Sequence, residues 1–186
     1  VYAGSSSPGK YFVEGQFTTD VRSDDANWET LFKGTELTTP DVEVFLSPED
    51  IHWVAGDKRH YWSAADKKVP SSKWVTPQKS EYTLLFLGHE LLAFGGNKDW
   101  EHCTSVESFN MNSGKWKVKA QMPVAVSKPI VVQQGTKIYV FGGVGADGPL
   151  KCCPEFDPIW NKWIRKSDMP EPCEGGAAVP SIYGIL

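Results

Sequence analysis

The sequence predicts an all-β protein built from repeated four-stranded units, and the prediction rests on a pattern that occurs twice. Apolar runs end in the glycine pairs Gly95-Gly96 and Gly142-Gly143. A tryptophan, Trp116 or Trp163, follows each pair 20 residues later. Patterns of helical period are nearly absent, whereas Gly 17 and Pro 13 cluster between alternating runs, which is typical of strands joined by many turns.

Further features recur in the same order in both copies. An acidic strand bearing an aromatic residue, Ser105–Asn110 or Pro154–Pro158, lies between each glycine pair and its tryptophan, and a Met-Pro pair comes after the tryptophan. Together these features resemble the kelch repeat. That resemblance implies a kelch-type β-propeller with about four blades of four antiparallel strands, similar to the kelch domains of BTB-kelch and F-box-kelch substrate adaptors.

Two earlier units carry altered versions of the same signature. Val1–Gly4 is followed by Trp28, and Val54-Ala55-Gly56 is followed by Trp74. In both units one glycine of the pair has become alanine. The chain therefore divides into units of about 1–40, 41–80, 81–126 and 127–170, with 171–186 completing the first blade.

Four strands, a to d, are expected in each unit, with strand b ending at the glycine pair and strand d carrying the tryptophan. A blade cannot bury both its faces alone, so the tryptophans are expected to fill contacts between neighbouring blades. In chain order the predicted strands are Asp41–Leu46, Ile51–Gly56, His60–Ala65, Lys73–Thr76, Tyr82–Leu87, Leu91–Gly96, Ser105–Asn110, Lys115–Lys119, Pro129–Gln133, Lys137–Gly143, Lys151–Asp157 and Lys162–Lys166.

The two ends of the chain fall at equivalent points of the repeat. Ile185-Leu186 aligns with Ile138-Tyr139, and Val1–Gly4 matches the residues that follow Tyr139. Two arrangements fit this alignment: a closed four-bladed ring whose last and first half-blades share a sheet, or part of a longer propeller, such as a six-bladed one. We expect the closed ring, because an open array would expose apolar faces and strand edges to water.

Composition narrows the classes of partner. The net charge is −4, and no dense basic stripe occurs, which disfavours nucleic acid as a partner. No apolar run is long enough to span a membrane and no leader is present, so no membrane association is expected. The spacing of the four cysteines fits no zinc site, and we expect reduced thiols in a cytoplasmic protein, with secretion and disulfides as the alternative. These cysteines are Cys103, Cys152, Cys153 and Cys173.

Strand alternation also predicts a binding face. In an antiparallel meander the b–c and d–a connections emerge on one side of the blades, and here they are the longer ones, where recognition residues tend to lie. Arg59 offers a planar fork for carboxylates, and Trp100 offers an aromatic anchor. A solvated arginine and a tryptophan folded against its own blade are the alternatives. The predicted partner-binding residues are Ser5, Ser6, Lys58, Arg59, His60, Asn97, Asp99, Trp100, His102, Ser127, Asp147 and Glu174.

No constellation of catalytic residues is evident. The four histidines show no metal-ligand spacing and no GxSxG elbow occurs, so we expect no enzyme, no metal and no cofactor. The resemblance implies a module that binds a partner protein or peptide on the b–c and d–a loop face, as in ubiquitin-ligase adaptors. Cullin-type ligase machinery would be recruited only through domains absent from this chain. A carbohydrate-binding propeller is the alternative, and a galactose-oxidase-like copper enzyme is less favoured.

Overall fold

The computed structural model describes residues 79–185 completely and, before them, only the backbone of seven strands between Tyr2 and Lys73. The chain divides into two units, Val1–Thr76 and Pro77–Leu186. In the described residues there is no helix that could cross a lipid bilayer. The predicted all-β class is confirmed, since every element in the described part of the chain is a strand and those strands pair antiparallel.

The first unit contains two antiparallel sheets. Three strands pair in the order β1-β2-β3, and four pair as the meander β4-β5-β6-β7 that the sequence predicts. The strands are β1 (Tyr2–Ser7), β2 (Lys10–Phe17), β3 (Glu29–Leu37), β4 (Val42–Leu46), β5 (Asp50–Ala55), β6 (Lys58–Ser63) and β7 (Ser71–Lys73). Trp28 and Trp74, which were assigned to d strands, lie outside the described residues.

Four of the predicted loop residues in this unit belong to strands, together with His60, which was predicted to begin one. Ser5 and Ser6 lie in β1, while Lys58, Arg59 and His60 open β6. The backbone of Arg59 is paired on both sides, with Val54 of β5 and Ser72 of β7. An antiparallel ladder continues for as long as its backbone groups find hydrogen-bond partners. These strands are therefore longer, and the turns between them shorter, than the sequence predicts. The placement of Ser5, Ser6, Lys58 and Arg59 in long b–c loops was therefore wrong, whereas His60 lies in a strand as predicted.

The second unit contains two further four-stranded meanders, ordered β13-β12-β9-β8 and β14-β15-β18-β19, and three short hairpins. The hairpins pair β10 with β11, β16 with β17, and β20 with β21. The strands are β8 (Thr83–Leu87), β9 (Glu90–Phe94), β10 (Asn97–Lys98), β11 (Glu101–His102), β12 (Val106–Asn110), β13 (Lys115–Val118), β14 (Ile130–Gln134), β15 (Lys137–Phe141), β16 (Val144–Gly145), β17 (Gly148–Pro149), β18 (Pro154–Asp157), β19 (Lys162–Arg165), β20 (Pro180–Ser181) and β21 (Gly184–Ile185).

The two complete blades of this unit follow the predicted strands a to d, with one larger difference at strand c. The sequence predicts a strand from Lys151, but β18 begins at Pro154. Only Ile138 and Tyr139 of β15 pair with β18, whereas β12 makes five pairs with β9. Proline has no backbone N–H to donate to a ladder, so Pro154 ends the pairing early. The a–b hairpin of a next unit, β20 with β21, lies where the alignment of Ile185 predicts it, while ring closure stays a prediction.

A shared apolar core joins the two blades of the second unit. Phe94 of β9 meets Phe156 of β18 edge to face at 6.3 Å between ring centroids, and Trp163 at 6.4 Å. Such edge-to-face pairs add to the free energy gained by burying the rings. Met122 and Val126, from the connection between the blades, belong to the same buried cluster. The core therefore lies between blades, as the recurring aromatics predict.

The glycine pairs lie where another stretch of backbone comes close. Gly95 has φ +62°, and a Cβ added there would lie 2.3 Å from the carbonyl oxygen of Val126. Gly142 has φ +53°, and its Cβ would lie 2.4 Å from the carbonyl oxygen of Cys173. The positive φ favours glycine, and the close approach of the carbonyl oxygen leaves no room for a Cβ. Each pair thus seats the d–a connection against the end of strand b.

Candidate functional site

The b–c connections of the second unit are ordered hairpins and not irregular loops. β10 pairs with β11 through Asn97 and His102, and β16 pairs with β17 through Val144 and Pro149. By strand alternation these hairpins lie at the same ends of the blades as the d–a connections. We call this surface, formed by residues 79–82, 95–105, 119–129, 142–153 and 166–179, the loop face.

One hydrogen-bond frame holds both hairpins. Ser80 and Asn97 exchange backbone hydrogen bonds of 2.7 and 2.8 Å, and Ser127 and Val144 exchange bonds of 2.8 and 2.9 Å. At the base of the hairpins, Cys103 N donates to Gly96 O, as Leu150 N donates to Gly143 O. Because the frames match bond for bond, the two hairpins are equivalent positions on a stiff scaffold.

The tips of the two hairpins differ in chemistry and in backbone. Asp99 and Trp100 occupy the first tip with φ +52° and +70°, and the Trp100 side chain is 96% exposed. At the second tip, Ala146 and Asp147 keep negative φ while Gly148 takes φ +110°. The first hairpin therefore presents an indole to solvent where the second presents a carboxylate.

A side-chain contact ties the first hairpin to the next blade. His102 Nδ1 lies 3.1 Å from Ser127 Oγ, and Ser127 is only 1% exposed. Ser127 also forms the backbone bridge to Val144 of the second hairpin. Neighbouring hairpins on the loop face are thus joined by two residues that the sequence assigns to the binding site.

Charged residues gather where strand a begins. Lys128 Nζ lies 3.3 Å from Glu81 Oε1 and 3.9 Å from Glu174 Oε1, and all three side chains are more than a third exposed, so solvent screens these pairs. Glu81, Lys128 and Gly175 occupy equivalent positions and share positive φ values of +57°, +50° and +68°. A groove of about 420 Å³ runs between these strand starts.

A second cavity, also of about 420 Å³, lies beside the first hairpin. Its walls are Ser80, Glu81, Asn97, Asp99 and Trp100. The indole provides an aromatic wall, and Glu81 and Asp99 provide carboxylates. A polar site with one aromatic anchor is suited to recognising a side chain of a partner.

A buried lysine supports the base of the first hairpin. Lys79 Nζ, whose side chain is 3% exposed, donates to Ser105 Oγ at 2.9 Å and lies 3.3 Å from Glu107 Oε2. Burial lowers the pKa of Lys79, and the attraction of Glu107 opposes that shift. Since a buried charge must keep its partner, this pair fixes the chain just before strand a.

The structure assembles some of the predicted binding residues and separates others. Asn97, Asp99 and Trp100 border one cavity, and His102 contacts Ser127. Glu174 approaches Lys128, and Asp147 lies on the other hairpin. For Ser5, Ser6, Lys58, Arg59 and His60, side chains lie outside the described residues, so their roles in binding stay predictions.

Two charged residues of the loop face were missed by the sequence reasoning. The sequence places both Glu81 and Lys128 in d–a connections, and neither residue was predicted to bind a partner. The sequence does contain a signal for this pair, because the two residues occupy the same position in successive repeats and carry opposite charges. Sequence periodicity alone did not show that their carboxylate and ammonium groups would meet.

Metal and disulfide chemistry find no support in the described residues. No group of three His, Cys, Asp or Glu side chains there could hold a metal ion. Cys103, Cys152, Cys153 and Cys173 are all free thiols. Burial raises the pKa of Cys152 and of Cys153, which disfavours the nucleophilic thiolate at both positions.

Comparison with known proteins gives matches to kelch-repeat proteins. Residues 79–123 match the family model of the Kelch motif. Over 110 residues the chain is 30% identical to Kelch-like protein terF of Aspergillus terreus, covering 54% of this chain and 24% of that protein. Over 84 residues it is 33% identical to mouse Kelch domain-containing protein 8B, covering 44% of this chain and 23% of the relative.

A third relative combines the repeat with another domain. The chain is 31% identical over 104 residues to zebrafish Kelch repeat and BTB domain-containing protein 12, covering 49% of this chain and 17% of the relative. This chain therefore spans a quarter or less of the length of each of these three proteins.

Proposed function

We propose that this kelch-repeat protein is a protein-interaction module that holds a partner protein or peptide on its loop face. One observation carries the proposal: two equivalent hairpins on one rigid frame end in unlike tips, and one tip presents Trp100 with 96% of its side chain exposed. Exposed tryptophans that lie among polar residues are frequent anchors of protein interfaces.

The frame behind these tips suits recognition because it is already ordered. The backbone bridges of Ser80 with Asn97 and of Ser127 with Val144 hold both hairpins before any partner arrives. A pre-ordered surface loses less conformational entropy on binding, so more of the contact free energy appears as affinity. The contact of His102 with Ser127 extends this order from one blade to the next.

The unlike tips favour one composite site over repeated sites. A lectin with like sites would place an aromatic platform at equivalent positions, yet the place of Trp100 is taken by Asp147 in the second hairpin. Together the indole, the carboxylates of Asp99 and Glu81 and the ammonium of Lys128 form an asymmetric surface. Asymmetry of this kind suits a protein segment, in which successive side chains differ.

A more specific role follows from the relative with a BTB domain. We extend the proposal to a substrate adaptor, in which the loop face binds the substrate and domains outside this chain recruit a cullin-type ubiquitin ligase. The support is the name of that relative, Kelch repeat and BTB domain-containing protein 12, and the resemblance of the repeats. Action in the cytoplasm is part of the same proposal.

Site-specific photo-cross-linking tests the proposal. A benzophenone amino acid replaces Trp100 in one variant and Trp160 in the other. Trp160 is the matched control, because it is 73% exposed and its backbone N–H donates a hydrogen bond of 3.1 Å to Asp157 Oδ1 in the turn after β18. Strand alternation places that turn at the opposite ends of the strands.

We expect irradiation in a native extract to give a discrete protein adduct from position 100. The same protein should not cross-link to position 160. Adducts that form equally from both positions, or from position 160 alone, would contradict a binding role for the loop face. Identification of the adduct by mass spectrometry then separates a ligase substrate from another kind of partner.

A further inference from the structure

We infer that the cavity beside Trp100 receives an arginine side chain of the partner. The inference rests on the proposed function and adds the chemical class of the residue that is recognised. Its starting point is the combination of walls in one cavity of about 420 Å³: the exposed indole of Trp100, the carboxylates of Asp99 and Glu81, and the polar Ser80 and Asn97.

The negative charge of this cavity is only partly compensated. No described residue forms an ion pair with Asp99, although the carboxylate lies beside the exposed indole. Glu81 has a partner in Lys128 at 3.3 Å, but Lys128 is 51% exposed and is also drawn towards Glu174. Among the described residues, no basic side chain lines the cavity itself. The field inside the cavity therefore favours a cation.

Guanidinium fits these walls better than other cations. It stacks on an indole face through cation–π attraction, and its planar fork pairs with carboxylates at the same time. A methylated ammonium would instead need a cage of several aromatic rings, and Trp100 is the only aromatic residue lining this cavity in the part of the chain that the structure describes. An unmodified arginine uses both the indole and the carboxylates.

The backbone of the tip gives an independent reason to assign a role to Trp100. A bulky residue with φ of +70° is strained, and the equivalent hairpin avoids such strain by giving the positive φ to Gly148. The hairpin frame therefore does not itself require a tryptophan in this conformation. Strain of this kind that is kept at a binding surface is consistent with a functional demand on the position of the side chain.

The test uses peptides selected from a random display library against the full chain, with their binding sites mapped by hydrogen exchange. We expect peptides that protect the loop face to share an arginine. Replacing that arginine by citrulline, which keeps the shape and removes the charge, should weaken binding by about tenfold. In the Asp99→Asn variant the ratio between the arginine and citrulline peptides should fall to about threefold or less.

Asp147→Asn is the matched control, since it removes the same charge from the tip of the other hairpin and should leave the tenfold ratio unchanged. Asparagine tolerates positive φ, so Asp99→Asn keeps the turn. Loop-face peptides without arginine, or a ratio that Asp99→Asn leaves unchanged, would overturn the inference while the proposed function stands. Peptides that protect only other surfaces, or no peptides at all, would count against both.

Discussion

Trp163 donates its indole N–H to the backbone carbonyl oxygen of Ala120 over 2.9 Å, and this bond crosses from one blade to the next. The backbone N–H of Ala120 is also bound across the same boundary, by Asn161 Oδ1 at 2.9 Å. Both polar groups of one peptide residue are thus satisfied by the neighbouring blade. The tryptophan that recurs in the sequence therefore bonds the blades together as well as filling the space between them.

Replacing Trp163 with phenylalanine should lower the free energy of unfolding by about 2 kcal/mol, because the Ala120 carbonyl loses its donor and the smaller ring leaves a gap beside Phe94 and Phe156. Urea denaturation followed by circular dichroism measures the change. Trp160→Phe is the control, since Trp160 is 73% exposed, and it should change stability by less than about 0.5 kcal/mol. Equal effects of the two substitutions would show that the inter-blade bond contributes nothing.

Glycine-to-alanine substitutions can separate the cost of a strained backbone from the cost of a clash with a neighbouring carbonyl group. Gly142→Ala introduces a Cβ 2.4 Å from the Cys173 carbonyl at positive φ, whereas Gly135→Ala has φ +60° with nothing within 4 Å. We expect Gly135→Ala to cost about 1 kcal/mol of unfolding free energy through strain alone, and Gly142→Ala to cost about 3 kcal/mol or more. Thermal and urea unfolding provide the comparison. A similar cost for both variants would mean that the d–a connection does not press against Gly142.

Strain at the Trp100 tip predicts a stabilising substitution. Asp-Gly is a favoured pair for a two-residue turn with both φ values positive, so Trp100→Gly should be more stable than Trp100→Ala by about 1 kcal/mol. The alanine variant is the control because it removes the same indole and keeps the strain. Both variants should lose affinity for a loop-face ligand. If glycine gives no gain over alanine in the unfolding free energy, the backbone at position 100 is not strained.

The ion pair between Lys166 Nζ and Glu155 Oε2, at 2.8 Å, predicts a dependence of stability on pH. The hydrogen bond from Lys166 holds the pKa of Glu155 below its ordinary value of 4.5. A depressed carboxylate pKa contributes stability that is present above pH 4.5 and is lost as the pH falls through the lower, folded value. A hydrogen bond from Lys137 lowers the pKa of Asp157 in the same way, so protonation of Asp157 also contributes to the loss of stability at low pH.

Glu155→Gln removes only one of these two contributions. We expect the native protein to exceed the variant in unfolding free energy near neutral pH, and the two to converge below pH 4.5 as Glu155 becomes protonated. Urea denaturation at a series of pH values measures the difference, and Asp157 cancels because both proteins contain it. A difference that is independent of pH would show that the charge of Glu155 does not matter.

Much of the fold could be predicted because the spacing of the repeated residues indicates where each strand of a blade begins and ends. Gly142 comes directly after strand b, and Trp163 lies within strand d, as the spacing of the repeat predicts. The differences occurred where hydrogen bonding extends or ends a ladder locally. Arg59 lies in β6 because its backbone has partners on both sides, and Pro154 shortens β18 because it lacks an N–H.

The proposed binding surface was harder to predict from the sequence. Trp100 was singled out because it is an aromatic residue between charged neighbours in a loop, and its exposure excludes the alternative in which it folds against its own blade. The ordered hairpin under it, and the cavity that it shares with Glu81, depend on a chain reversal that brings distant residues together. Periodicity shows which positions are equivalent, but it does not show which unlike side chains meet.

The most direct test of the central claim is the affinity of the protein that cross-links to position 100, measured by titration calorimetry with the full chain and two variants. We expect Trp100→Ala to weaken binding by about tenfold or more, as for an anchor residue, and Trp160→Ala, which removes an equally large side chain from the turn after β18, to change it by less than about twofold. Unchanged affinity in Trp100→Ala, or a larger loss in Trp160→Ala, would contradict binding through the loop face.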